Sequence, residues 1–195
     1  MDFPDTLPFI WIGLGNPGTR YVKTRHNTGY RAIDRLIERF GGRLQGETRH
    51  GKVWKGSIRG NRVYMMKPST FMNLSGKAAR WILDREGLKP EHMVVFHDDM
   101  DLDVGRTKLK WKGGDAGHKG IRSMMSYLQT DAFFRVRIGI GKPLEGETGS
   151  EFVLSTFTSA EEEEIHSALS RIVKGMEIWA DKGTRQVLNF LNRKD

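Results

Sequence analysis

The residues best able to do chemistry in this chain are a histidine, an asparagine and a group of aspartates, set far apart along it. His26 stands between Arg25 and Asn27 at the end of Gly13 to Asn27 (GLGNPGTRYVKTRHN), a glycine-rich and mostly polar stretch. An imidazole is the side chain best suited to taking a proton near neutral pH. A segment so poor in apolar residues cannot build core, and such loops are usually kept where a chain meets a ligand. His97, Asp98, Asp99, Asp101 and Asp103 follow the apolar run MVVF. One of these acids could face a pocket and orient a histidine, with the others solvated or capping turns, because open α/β sheets place their sites at strand C-terminal ends. Asn73, within Lys67 to Lys77 (KPSTFMNLSGK), sits at the mouth of a helix. There it could serve as an N-cap, or turn its carboxamide toward a carbonyl oxygen or a water.

Other chemistries fit less well. Gly13, Gly15 and Gly18 spell G-x-G-x-x-G, but Pro17 and the run TRYVKTRHN intervene before any helical periodicity. A dinucleotide site needs the helix to open at those glycines. Asp99, Asp101 and Asp103 have the spacing of a calcium loop, yet Val104 stands where glycine is needed and Lys110 where the bidentate Glu belongs. A catalytic metal shared by this cluster and His26 stays open as an alternative. No G-x-S-x-G elbow occurs, and the absence of cysteine excludes thiol nucleophiles and zinc–thiolate sites.

A net charge of +8 makes a polyanion a plausible partner. Arg106, Lys108, Lys110 and Lys112 alternate with Thr107, Leu109 and Trp111, so in a strand all four cations would share one face. That pattern serves edge protection or phosphate binding. The turn GGDAGHKGIR that follows adds His118, Lys119 and Arg122 to a backbone-accessible helix entry, which favours phosphates. His50, His92 and His166 lie in polar surroundings and read as surface residues, and His97 reads as a satisfied core histidine.

These groups need a scaffold. Leu7 to Gly13 reads as a buried strand, and Ile33, Leu36, Ile37 and Phe40 as a helix ended by Gly41-Gly42. Val53 to Arg59 and Arg62 to Met66 form a hairpin through Gly60-Asn61, and Leu74 to Glu86 a helix closed by Gly87. Met93 to His97, Arg106 to Lys112 and Arg135 to Gly141 are further strands. Ser159 opens a long helix whose acidic start, Glu161 to Glu164, reads as a solvated first turn. Strands interleaved with helices over 195 residues predict one α/β domain, a twisted mixed sheet packed between helices, with residues 1–8 as an N-terminal extension. The N-terminus MDFPDTLP does not read as a secretory signal, and no stretch approaches the ~20 apolar residues of a membrane span, so the expected location is the cytoplasm.

In order along the chain, GLGNPG, TRHN, FMNLSG, HDDMDLD, GG-x-x-GHKG and RIGIG closely resemble the motifs of the bacterial-type peptidyl-tRNA hydrolases. The resemblance runs from about Phe9 through Phe157 and more loosely beyond. It implies a single α/β domain that cleaves the ester between a peptide and tRNA, recycling tRNA, as a monomer and without metal or other cofactor. It further implies His26 as the general base that activates water, fixed by Asp98, with Asn73 positioning the scissile region and Asn16 contacting the peptide. Tyr21, Phe71 and Met72 would line the cleft, His118 and Lys119 would hold the tRNA end, and Lys108, Lys110 and Arg137 would grip its phosphates. Lys119 departs from the family's asparagine, exchanging a carboxamide for a point charge, and Asp103 replaces a common proline. Two rivals remain: a non-catalytic RNA-binding relative, and a metal-dependent hydrolase built on HDDMD.

Overall fold

The computed structural model describes residues 3–193. Its strands are β1 (Ile10–Gly13), β2 (Arg43–Thr48), β3 (Gly51–Ile58), β4 (Asn61–Pro68), β5 (Met93–Asp99), β6 (Thr107–Trp111) and β7 (Phe134–Gly139). Its helices are α1 (Thr28–Phe40), α2 (Ser75–Glu86), α3 (Lys119–Leu128), α4 (Gly149–Leu154), α5 (Ser159–Lys182) and α6 (Thr184–Asn192). The strands form one sheet in the order β2-β3-β4-β1-β5-β7-β6. The inner four, β4, β1, β5 and β7, run parallel, and β3 and β6 pair antiparallel at the flanks. This is the mixed α/β sheet that the interleaved pattern predicts.

Parallel strands are covered on both faces and so read as continuous apolar runs. β5 is buried along its whole length. On one face Trp11, Val94, Phe96 and Val136 pack with α1, α5 and α6; on the other Ile10, Ile12 and Val95 pack with α2 and α3. β1 lies between β4 and β5, with α1 on one face and α2 on the other. Such a switch in direction leaves a crevice beyond the carboxyl ends of the strands. Those ends, at Gly13 and Asp98, carry the candidate chemistry.

Glycines near β1 serve close packing rather than a cofactor. A Cβ on Gly29 would lie 2.3 Å from the Phe96 carbonyl oxygen and 2.5 Å from that of Leu14, and one on Gly13 would lie 2.2 Å from the Gly29 oxygen. The first turn of α1 therefore sits directly on the backbone of β1 and β5. No side chain fits between them.

Several boundaries differ from the sequence expectation. β1 starts at Ile10 rather than Leu7, because the Trp11 indole donates to the Pro8 carbonyl and the preceding chain runs to α6, where Asp5 accepts the Thr184 amide. The first two residues of the expected extension lie outside the described residues. The β3–β4 turn is Arg59-Gly60, both at positive φ (50° and 79°), one residue earlier than Gly60-Asn61. β2 is polar and exposed, so no apolar period announces it.

The four-cation face is also smaller than its spacing predicts. Arg106 precedes β6 and donates to the carbonyls of Asn192 and Arg193 at the end of α6; Lys112 follows β6 and leaves it at φ 59°. Lys108 and Lys110 remain, paired in register with Arg137 and Arg135. The outer edge of β6 is closed by a carboxamide: the Leu109 amide donates to Asn192 Oδ1 (2.7 Å), and Asn192 Nδ2 donates back to the Leu109 carbonyl (3.0 Å). The acidic start of α5 is not merely solvated, since Glu161 and Glu162 receive Arg25 and Arg31. Among the described residues no helix is long and apolar enough to cross a membrane.

Candidate active site

His26 sits in a 3-10 turn, Arg25–Asn27, between the polar loop and α1. Its Nδ1 lies 2.8 Å from Asp98 Oδ2, at the end of β5. The other carboxylate oxygen of Asp98 is 3.0 Å from His118 Nε2. His118 caps α3 through Nδ1, which accepts the amides of Gly120 (3.1 Å) and Ile121 (3.3 Å). Those amides can only donate, so the proton of a neutral His118 must be on Nε2, facing Asp98. Asp98 can only accept, so His26 likewise presents Nδ1–H to it. His26 Nε2 is then left with a lone pair and no protein partner among the described residues, in a ring that lines the cavity. That is the arrangement a general base requires.

Asp98 is 2% exposed. Burial by itself would raise its pKa, but the charges and hydrogen bonds of His26 and His118 outweigh that and hold it below the usual carboxylate range. His97 is driven the opposite way: burial, helped by His118, lowers it to about 3 against the pull of Asp98 and Asp99. It is therefore a neutral ring, donating Nδ1–H to the Asp98 carbonyl at 2.8 Å. Its Nε2 is buried and has no partner among the described residues, so it is less fully satisfied than a simple core histidine.

The ligand atoms of His26, Asp98 and His118 lie within 4.8 Å of one another, close enough for a metal in principle. The donor chemistry argues otherwise. A metal on His118 Nε2 would need that nitrogen's lone pair, while Nδ1 is occupied accepting two amides. Two protons fit this cluster better than one cation. The neighbouring acids do not converge either: Asp99 pairs with Arg137 and accepts the Asp101 amide, and Asp101 and Asp103 are exposed.

Asn16 and Asn27 tie the loop to the base. The Asn16 amide donates to Asn27 Oδ1 (2.8 Å) and Asn27 Nδ2 donates to the Asn16 carbonyl (3.0 Å). Asn16 Oδ1 accepts the Met72 amide at 2.9 Å, which orients its Nδ2–H bonds as the remaining donors. Asn73 is not an N-cap: it lies in the 3-10 turn Met72–Leu74, exposed and without a protein partner among the described residues.

A cavity of about 590 Å³ brings together Asn16, His26, Phe71, Met72, Asn73, Asp98, His118 and Lys119, with Met100, Val153 and Leu154 on its apolar wall. Tyr21 is a correction. It is not among the cavity's lining residues; it ends the 3-10 turn Thr19–Tyr21 with the Arg20 guanidinium stacked on it. Lys110 and Arg137 line a smaller neighbouring cavity of about 60 Å³ that shares His97, Asp99, Asp115 and Ala116 with the large one. Lys108 lines neither. Arg137 is also less free than its expected role implies, being ion-paired to Asp99.

Residues 10–195 match the family model described as peptidyl-tRNA hydrolase. The chain is 40% identical over 185 residues to a curated peptidyl-tRNA hydrolase of Bacillus subtilis, covering 95% of this chain and 98% of that protein. The chain belongs to the peptidyl-tRNA hydrolase family. A second curated peptidyl-tRNA hydrolase, from Brevibacillus brevis, is 39% identical over 183 residues, 94% of this chain and 97% of its own length. A crystal structure of peptidyl-tRNA hydrolase from Acinetobacter baumannii superposes with a TM-score of 0.91 at 30% identity, covering 100% of this chain and 98% of that one.

Two residues that hold this peptidyl-tRNA hydrolase site together had no sequence reading. Asn27 adjoins His26 and could have been weighed as a loop staple. Arg25 is 6% exposed, and a buried arginine demands a carboxylate, but nothing in the sequence indicates that its partner is Glu161. His118 was expected at the tRNA end; it lines the cavity, yet both its nitrogens are engaged by Asp98 and α3.

Proposed function

We propose that this peptidyl-tRNA hydrolase cleaves the ester of peptidyl-tRNA with His26 as the general base. Water gives a proton to His26 Nε2 and attacks the ester carbonyl. The ribose oxygen of tRNA then leaves and recovers that proton. Asp98 keeps the ring in the tautomer that has Nε2 free and stabilises the imidazolium formed in between. Asn16 and Asn73 offer amide donors to the peptide and to the developing oxyanion, which is where preorganised donors help most. Phe71, Met72, Met100, Val153 and Leu154 accept the peptide's apolar groups.

The smaller cavity with Lys110 and Arg137 shares His97 and Asp99 with the large one, and there the tRNA phosphates are met. Lys108 guides the strand from the same sheet face, and Lys119 offers a point charge beside His118. Every group the chemistry needs comes from one chain, which supports action as a monomer, and the cytoplasm is where its substrate arises. The observation that carries the reading is the 2.8 Å contact between His26 Nδ1 and an Asp98 whose other oxygen is already held.

The test is release of N-acetylamino acid from N-acetylaminoacyl-tRNA, beside free aminoacyl-tRNA and with EDTA present. The expected result is turnover of the blocked substrate, little of the free one, and no effect of chelation. Activity abolished by EDTA and restored by a divalent cation would overturn the metal-free route.

A further inference from the structure

Asp98 grips the His26 ring, but that contact does not fix the backbone that carries it. Arg25 does. Although adjacent to the base, it is absent from the cavity wall. Its guanidinium donates to both oxygens of Glu161 (2.9 and 2.8 Å), to the Ile140 carbonyl (3.0 Å) and to Ser155 Oγ (3.1 Å). It lies 4.6 Å from the ring centroids of both Phe152 and Phe157. Its amide donates to the Ser155 carbonyl at 2.9 Å, and its carbonyl accepts the Thr28 hydroxyl at 2.7 Å.

These partners come from the chain just after β7, from α4 and its end, and from the first turn of α5. α4 also supplies Val153 and Leu154 to the cavity wall. One side chain thus joins the turn of the base to the segment that carries this wall and to the start of α5, 136 residues away in sequence at Glu161. A planar fork with five donors can make these bonds together, and a lysine cannot.

We infer that Arg25 and Glu161 are a positioning pair for His26, setting the place of the imidazole over the ester without touching substrate. The inference rests on His26 being the base. A shift of about 1 Å in a reacting group costs roughly 10²-fold in rate, so a loosened turn has a measurable consequence. The molecule contains its own control. Arg31 makes a similar two-point pair with Glu162 (3.2 and 2.5 Å), joining the same turn of α5, but from α1 rather than from the turn of the base.

The experiment compares Arg25→Lys, Glu161→Gln and Arg31→Lys, each alone and in a His26→Ala background, by steady-state kinetics on N-acetylaminoacyl-tRNA and by thermal melting. Gln at 161 keeps the capping box that Glu161 makes with Thr158, so it removes only the charged half of the fork. Arg25→Lys and Glu161→Gln are expected to lower kcat by about 10- to 100-fold with KM little changed. Arg31→Lys lowers Tm but leaves kcat alone. Without His26, the loss from Arg25→Lys disappears, because there is no ring left to position.

A normal kcat in both Arg25→Lys and Glu161→Gln overturns the pair, as does an equal loss in Arg31→Lys or a loss that persists without His26. If Arg25→Lys does not fold, Glu161→Gln decides. An impaired His26→Ala beside a normal Arg25→Lys sinks the pair and leaves the base standing. A fully active His26→Ala sinks both.

Discussion

Asp98 and Asn73 face the same cavity, yet Asp98 is bonded at both carboxylate oxygens while Asn73 has no protein partner among the described residues. The difference extends to their surroundings. At the back of the cleft, Asp98, His26 and His118 are buried or nearly so and hold one another, and the buried Asn16 is held by Asn27 and Met72. At the mouth, Phe71 is 53% exposed, and Asn73 and Lys119 are also exposed. Groups that must present a lone pair or a charge at a fixed point are bonded in advance, so no reorganisation is needed when the reaction begins. Groups that must meet a varied peptide and a nucleic acid are left uncommitted.

The back wall is where a single change should do most harm. Asp98→Asn keeps the shape but cannot accept from both histidines, so His26 can turn its proton toward the cavity. Single-turnover hydrolysis should slow by roughly 10²–10⁴-fold. A loss under tenfold would make Asp98 a bystander. His118→Ala leaves the His26–Asp98 contact in place and should cost less, roughly 10- to 100-fold. It should also lose about 1 kcal/mol of stability with the α3 cap, measurable by denaturant titration. If His118→Ala proved as damaging as Asp98→Asn, the clamp would matter as much as the acid.

The uncommitted side predicts changes in binding rather than in chemistry. Lys110→Ala should reduce the salt dependence of tRNA affinity by about 0.7 log units per log salt, the worth of one single-strand phosphate, with kcat at saturation unchanged. An unaltered slope would remove Lys110 from the interface. A smaller effect tests the buried back wall by pH. His97 is held down to about 3 from 6.5, so between those values the unfolded chain binds a proton that the folded chain does not. Stability from this residue is therefore present above about pH 6.5 and lost as pH falls toward 3. Asp98, with its folded pKa depressed, stays ionised through most of that window and loses its contribution only at lower pH. His97→Phe should flatten the decline in Tm between pH 6.5 and 4, and an unchanged decline would assign it elsewhere.

Much of this was legible in the residues themselves. Apolar runs announced β1 and β5, and Gly41 and Gly87, at φ 66° and 64°, closed α1 and α2 where expected. The sequence also brought His26, Asp98 and Asn73 to one site, through motifs more than through period. What it could not show was pairing at a distance. The run Glu161 to Glu164 has the same appearance whether solvated or bonded, and only the fold reveals that two of its carboxylates hold Arg25 and Arg31. The basic strand misled for a related reason. Strict alternation implies a common face only while the strand continues, and here it ends before Lys112 and begins after Arg106. His118 was read as a substrate contact because its role depends on which partner each ring nitrogen meets, and spacing carries no information about that.

The account depends on where two protons sit. ¹⁵N NMR of the ring nitrogens of His26 and His118 reads this directly. The predicted result is opposite tautomers: Nδ1–H with a bare Nε2 for His26, and Nε2–H with a bare Nδ1 for His118. A proton on Nε2 of His26 would leave no lone pair facing the ester, and would contradict the assignment of the base.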